Sequence, residues 1–222
     1  MAGSIAAGCS TDSGSSAPRE ITADAVAGRA TAALTSTITM RAEASLRSSY
    51  EDQSAEVGRS ESEVDLRAGI VTGESWIDLG PSDEDGEILA EETVVLPDRS
   101  YRRGPGEPWE RSSQPLTEVV LPAFEEEGDD LALAVRAVVL TASEPWTATT
   151  GDDGTTTYRS AESGSGETLD LEIDDQGRLS RLARSQPPFG SERDGPMRVG
   201  VEIVFSEFDS TVVELPPDLP EE

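Results

Sequence analysis

The apolar residues of this chain alternate most cleanly in residues 168–205, where turns separate the alternating runs, and this pattern most constrains the fold. Leu169, Leu171 and Ile173 alternate with acidic residues, a period of two that is typical of a β-strand with one side on a core and the other in water. Residues 174–177 read Asp-Asp-Gln-Gly, which favours a tight reversal. We therefore predict a meander of three antiparallel strands, whose apolar face must be covered by another part of the chain.

The earlier part of the chain repeats this pattern. Alternation predicts strands at residues 40–46 and 59–68, the second with small inward-facing residues. Residues 70–79 and 87–96 predict two more strands, and residues 146–160 a further hairpin. The many antiparallel strands with short polar turns predict one large sheet.

Two segments have helical rather than strand periodicity. Residues 21–35 place apolar side chains at three- and four-residue spacing, with Thr22 or Asp24 available as the N-cap. Residues 131–140 are apolar nearly all round a helix, preceded by aspartates at 129–130, and this helix is too short for a bilayer, which needs roughly 20 residues. We predict an α+β fold in which a single, strongly curved antiparallel sheet, a half-barrel, carries the helices on its concave face.

Composition excludes several classes of function. The chain has 222 residues, enough for one large core, and its 17 basic and 45 acidic residues give a net charge of −28, which repels nucleic acids and anionic lipid headgroups. It contains no histidine, which removes histidine-based catalytic triads and imidazole metal sites. We expect no catalytic residues, no metal, no cofactor and no nucleic-acid partner.

Acidic turns at residues 83–86, 152–154 and 174–177 suggest calcium as an alternative, because clustered carboxylates suit hard cations. None has the spacing of an EF-hand loop, and Asp-Gly sequences are ordinary hairpin turns. We interpret the three segments as turns.

Glycoside hydrolysis is another alternative, since the glutamates at residues 125–127 lie in a chain that also has Trp109 and Trp146. Adjacent glutamates on one loop do not face each other across a scissile bond. We interpret these tryptophans and Trp76 as core or rim residues rather than sugar platforms.

The single cysteine, Cys9, follows small residues at 5–8 and precedes a polar run at 10–18. This resembles the lipobox of secreted bacterial lipoproteins, in which the cysteine carries the lipid, although only eight residues precede it and none is basic. The resemblance implies a tether over residues 1–20 and a domain over residues 21–222. The alternative is an incidental cysteine in a disordered cytosolic N-terminus.

The order of segments over nearly the whole chain resembles the LolA/LolB-type half-barrel, and more closely the actinobacterial lipoproteins of the LppX/LprG type. The features that carry this resemblance are Cys9, the helix before Met40, the segment from Tyr101 to Trp109, residues 154–158, residues 171–179, and residues 205–208 before Pro216.

The resemblance implies a monomer anchored by lipid to the extracytoplasmic face of the cell membrane, which binds a lipid or lipidated ligand between sheet and helices. The alternative is an envelope sensor or interaction lipoprotein that recognises a protein partner and has no lipid cavity. Small inward side chains on the early strands favour a cavity, because they leave volume unfilled. The predicted ligand-binding residues are Met40, Ala42, Ala44, Leu46, Val64, Leu66, Leu121, Phe124, Leu131, Val135, Val138, Val139, Leu171, Val201 and Ile203.

The lipobox interpretation predicts how the exported protein behaves in detergent phase separation. The full-length protein should enter the detergent phase, and Cys9→Ala should move it to the aqueous phase, because the substitution removes the thiol that carries the lipid. Partitioning that is the same with and without Cys9 would rule out lipid attachment at this residue.

Overall fold

The computed structural model describes residues 17–50, 53–78, 87–124, 128–186 and 197–220. Within them lie twelve strands and three helices. The strands are β1 (Arg19–Ile21), β2 (Thr39–Tyr50), β3 (Gln53–Asp65), β4 (Ile70–Asp78), β5 (Glu87–Leu96), β6 (Arg99–Arg103), β7 (Glu110–Ser112), β8 (Trp146–Thr150), β9 (Thr156–Arg159), β10 (Thr168–Ile173), β11 (Leu179–Ser185) and β12 (Met197–Ser206), and the helices are α1 (Ala23–Thr35), α2 (Leu116–Val120) and α3 (Leu131–Thr141).

All twelve strands form one antiparallel sheet in the order β1-β8-β9-β10-β11-β12-β2-β3-β4-β5-β6-β7. It consists of two meanders, β2 to β7 and β8 to β12, which are joined where β12 pairs with β2. This confirms the predicted α+β half-barrel.

The predicted domain boundary at residue 20 falls inside β1, where Arg19 and Glu20 pair with β8. Three residues are too short a run for alternation to reveal a strand.

The topology explains why the helices share one face of the sheet. The chain leaves β7 at one edge and re-enters at β8, next to the other edge, so the connection that contains α2 and α3 must cross the sheet. The connection from β1 to β2 likewise carries α1 from an edge to the centre. Two of the three helices begin at a side-chain cap, Thr22 for α1 and Asp130 for α3, whereas α2 begins without one. In the part of the chain that the structure describes, no helix has the length and apolar character needed to cross a bilayer.

The core lies between the helices and the sheet. Its centre is a row of fully buried residues across three strands, in which Val64 pairs with Met40 on one side and with Val71 on the other. α1 contributes Val26 and Ala30, both also fully buried. One continuous cluster therefore connects the sheet to all three helices.

Ion pairs lie on the opposite face of the sheet, where alternation places the charged residues. The Arg159 guanidinium contacts the Asp170 carboxylate at 2.6 Å and the Arg103 guanidinium contacts Glu92 at 2.7 Å, each across neighbouring strands. Such solvent-accessible pairs on a sheet surface contribute modestly to stability individually. They keep the charged face in water and leave the other face for the core.

The predicted turn at residues 174–177 is held by the carboxylate of Asp174. Its Oδ1 accepts hydrogen bonds from the backbone N–H groups of Gln176 and Arg178 at 2.9 and 2.8 Å, and its Oδ2 accepts one from Arg178 Nε at 2.8 Å. Burial alone would raise the pKa of Asp174, but the bonds from Arg178 and Gln176 outweigh it and lower the pKa. The carboxylate in this acidic turn therefore serves the hairpin.

Asp174→Asn should destabilise the protein at neutral pH by about 1–2 kcal/mol, because it removes the charge that Arg178 contacts. A folded-state pKa below the unfolded value means that this contribution is full above pH 3.8 and is lost as the pH falls through the lower folded pKa. Urea unfolding across this pH range should show that the free energies of unfolding of the wild-type protein and Asp174→Asn become equal in acid. Asp175→Asn, at the exposed neighbour, is the control and should show no such convergence; a pH-independent difference for Asp174→Asn would contradict the assignment.

A second prediction concerns Gly73 of β4, which packs against Val119 of α2. A Cβ atom at Gly73 would lie 2.8 Å from Val119 Cγ1, so Gly73→Ala should lower the free energy of unfolding by about 1–3 kcal/mol. Gly28→Ala, at an exposed site of α1 with no atom within 4 Å of the added Cβ, should instead raise it by about 0.5–1 kcal/mol. Urea unfolding measures both, and equal effects at the two sites would show that α2 does not press on β4.

Candidate functional site

An apolar pocket of about 230 Å³ lies on the helix-bearing face of the sheet, just beyond the end of α2. Strands β2, β3 and β4 form its floor, β12 one side, and the segment after α2 another side. Nearly all of the surface it exposes is carbon. Its lining residues are Ala44, Ser45, Leu46, Val57, Gly58, Arg59, Ser60, Ser75, Trp76, Ile77, Pro122, Ala123 and Val201.

The strand register explains why space remains here. Ser60 of β3 pairs with Ala44 of β2 and with Ser75 of β4, so three small side chains form one row across the sheet. In the next row outward, Gly58 separates Leu46 from Ile77. Small residues in register leave unfilled volume above the floor, because a packed interior needs large side chains facing small ones.

The helical layer stops short of this floor. α2 has only five residues and ends at Val120, after which Pro122 and Ala123 close the side of the pocket. Ala123 has a left-handed backbone with a φ of 66°, a conformation that costs a non-glycine residue about 1–2 kcal/mol. A strained residue at the wall of a pocket is typical of functional sites, where the surrounding structure holds it in place.

Charged groups are kept out of the pocket. Arg59 is the one charged residue in its lining, and strand alternation directs its side chain to the opposite face, where the guanidinium stacks over the Trp76 ring at 4.5 Å and contacts Glu61 at 3.4 Å. Gly58 fits tightly below, since a Cβ there would lie 3.2 Å from the Trp76 carbonyl oxygen. The lining therefore offers mainly hydrophobic burial, with the serine side chains of Ser60 and Ser75 in the floor of the pocket.

A cleft of about 470 Å³ lies at the other end of β2 and differs in chemistry. Its walls include Arg67, Asp129 and Asp130 together with Leu66 and Leu131. Asp130 already caps α3 by accepting a hydrogen bond from the Leu133 N–H at 3.0 Å. An alkyl group in this cleft would desolvate charged side chains, so the smaller apolar pocket is the better candidate for an apolar ligand.

The structure divides the fifteen predicted ligand-binding residues among three places. Ala44, Leu46 and Val201 meet in the apolar pocket, and Leu66 and Leu131 line the charged cleft. The pocket lies beside the end of α2, whereas the sequence placed it under α3. Within the packed core lie Met40, Ala42, Val64, Leu121, Phe124, Val135, Val138, Val139, Leu171 and Ile203.

Sequence reasoning did not name Ser60, Ser75 or Gly58 as site residues. Alternation predicts a small inward face for β3, but the signal becomes specific only when the register places Ser60 between Ala44 and Ser75. Cys9, the predicted lipid attachment site, lies outside the described residues, as do residues 83–86 and 125–127. Trp146 is fully buried, and Trp109 lies under the guanidinium of Arg103 at 4.3 Å.

No family model matches the chain, and no curated protein matches it. Among solved structures it is similar to a LolA superfamily protein from Nitrosomonas europaea, with 12% identity, a TM-score of 0.30, and coverage of 88% of this chain and 96% of that one. It is also similar to a DUF1329 family protein from Desulfovibrio piger (10% identity, TM-score 0.32, coverage 86% and 95%). A third is a putative outer membrane lipoprotein-sorting protein domain from Vibrio parahaemolyticus (10% identity, TM-score 0.33, coverage 86% and 95%).

None of these scores is high enough to decide the function of this chain, which we infer from the pocket instead. The name of the first of these structures includes the LolA superfamily. The narrower resemblance to the LppX/LprG type stays a prediction.

Proposed function

We propose that the protein binds the apolar part of a lipid or other amphiphile in the pocket beside α2, non-covalently and without catalysis. The observation that carries this proposal is an apolar pocket floored by the in-register row of Ala44, Ser60 and Ser75, next to a core that is otherwise closely packed. Burying alkyl groups in such a site is favourable by about 0.8 kcal/mol per methylene. No ion pair or directed hydrogen bond is required.

The same proposal includes the location at which the protein acts. Attachment of lipid through Cys9 would hold the domain at the extracytoplasmic face of the membrane, with residues 10–18 as a polar tether. At a net charge of −28 the domain itself is repelled by anionic lipid headgroups. A covalent anchor would keep it near its ligand against this repulsion, for transport or presentation by a monomer.

An envelope sensor that recognises a protein partner is the second candidate, and one surface feature favours it. Leu133 and Leu140, seven residues apart on α3, are 60% and 42% exposed. They therefore form an apolar stripe on the outer side of the helix. In this alternative the stripe contacts the partner and the pocket has no ligand.

Native mass spectrometry of protein purified without detergent distinguishes the two candidates. We expect co-purified amphiphile with the wild-type protein and none with Ala44→Phe, because the added ring fills the pocket. The substitution should cost no more than about 1–3 kcal/mol of stability, since the ring enters open space rather than the packed core. A ring added at Ala42 would not enter open space. Ala42 lies in the row beneath α2, where its partner Ser62 pairs with Gly73.

Val204→Phe is the matched control. Val204 is 42% exposed on β12 and pairs with Glu43, on the charged face of the sheet. The same ring added there should leave the co-purified ligand in place. Wild-type protein that is free of ligand and gains no mass when incubated with lipid would favour the sensor, and unfolding of Ala44→Phe would show that the space beside α2 is already filled.

A further inference from the structure

We propose that the pocket takes the end of one alkyl chain, to a depth of about nine carbon atoms, and that its ligand is therefore a single-chain amphiphile or one chain of a larger lipid. This inference rests on the proposed function and makes it more specific. It depends on the volume of the pocket, the wall at its inner end and the residues at its mouth.

Volume sets the amount of ligand that fits. An apolar cavity of roughly 150 Å³ takes one benzene molecule. The pocket holds about 230 Å³, about one and a half times as much, which corresponds to about nine carbon atoms at the same density. Two long acyl chains do not fit within this space.

The inner end of the pocket is closed. The row beyond Ala44, Ser60 and Ser75 consists of Ala42, Ser62 and Gly73, and Val119 of α2 stands directly above Gly73. Behind it comes the fully buried row of Met40, Val64 and Val71. A chain that enters the pocket therefore ends against packed side chains and does not continue into the core.

The mouth of the pocket, unlike its inner end, is apolar but partly exposed to solvent. Ile77, which lines the pocket, pairs with Ile88 of β5 at its outer end, and the two are 49% and 42% exposed. This pair gives the next few methylenes an apolar surface that remains partly wet. The headgroup then lies outside, so the pocket selects the ligand by its chain and not by its headgroup.

A series of alkyl maltosides with chains of three to fourteen carbons, each kept below its micelle concentration, tests the depth with the full chain by isothermal titration calorimetry. The dissociation constant should fall about fourfold for each added methylene while the chain is inside the pocket. Beyond about nine carbons the gain should drop to less than about twofold per methylene, as added groups remain in contact with water. A steady fourfold gain to fourteen carbons would overturn the limited depth.

The number of chains is tested with decanoyl lysophosphatidylcholine and didecanoyl phosphatidylcholine, which differ by one chain. We expect the second chain to improve affinity by less than about tenfold, because only the exposed pair at the mouth is left to contact it. An improvement of about a hundredfold or more would overturn the single-chain proposal while leaving amphiphile binding intact. If neither lipid nor any maltoside binds, the proposed function itself fails.

Ala44→Leu tests the location. It adds roughly three carbon atoms to the floor of the pocket, so the break in the maltoside series should move to about six carbons. Val204→Leu, on the opposite face, should leave the break where it is. A variant that folds, as judged by circular dichroism, but keeps the wild-type break would place the chain somewhere else and overturn the assignment to this pocket.

Discussion

The antiparallel register between β12 and β2 is the constraint on which the rest of the structure depends. It runs from the pair of Met197 and Tyr50 to the pair of Ser206 and Arg41, and it joins two meanders that would otherwise be separate sheets. Once they are joined, β7 and β8 lie near opposite edges, and the connection between them must cross the sheet. The position of α2, and with it the position of the pocket, is therefore a consequence of strand order.

Most of the sheet could be predicted from the sequence because its signals are local. Alternation located β2 and β10, and the caps at Thr22 and Asp130 and the turn at Asp174 were visible in a few neighbouring residues. The three-residue strand β1 was missed, because it contains less than two full periods.

The pocket could be predicted only in part, because it depends on contacts between distant segments. Ala44 was selected as a small inward residue, but nothing near it in the chain shows that Ser60 and Ser75 are its neighbours in the sheet. The sequence also does not show that α2 ends at Val120. Leu121 and Phe124 were predicted to lie near the mouth of the pocket, but both are buried in the core. Periodicity shows which face a residue occupies; register and helix length decide whether anything covers it.

An empty pocket also lowers the stability of the folded protein, which the high net charge of this chain already reduces. At about 24 cal/mol per Å³, an enclosed empty cavity of this size would destabilise the protein by about 5.5 kcal/mol, an upper limit for a pocket that is open to solvent. Whole domains are stable by only about 5–15 kcal/mol, and a net charge of −28 adds self-repulsion. Larger side chains at Ala44 or Ser75 would fill the space. The row of small residues therefore lowers the stability of the ligand-free protein, and a bound alkyl chain would offset that loss. At Gly58 the position of the Trp76 carbonyl oxygen makes even alanine tight, and the outer floor of the pocket is therefore fixed by the backbone as well as by the choice of side chains.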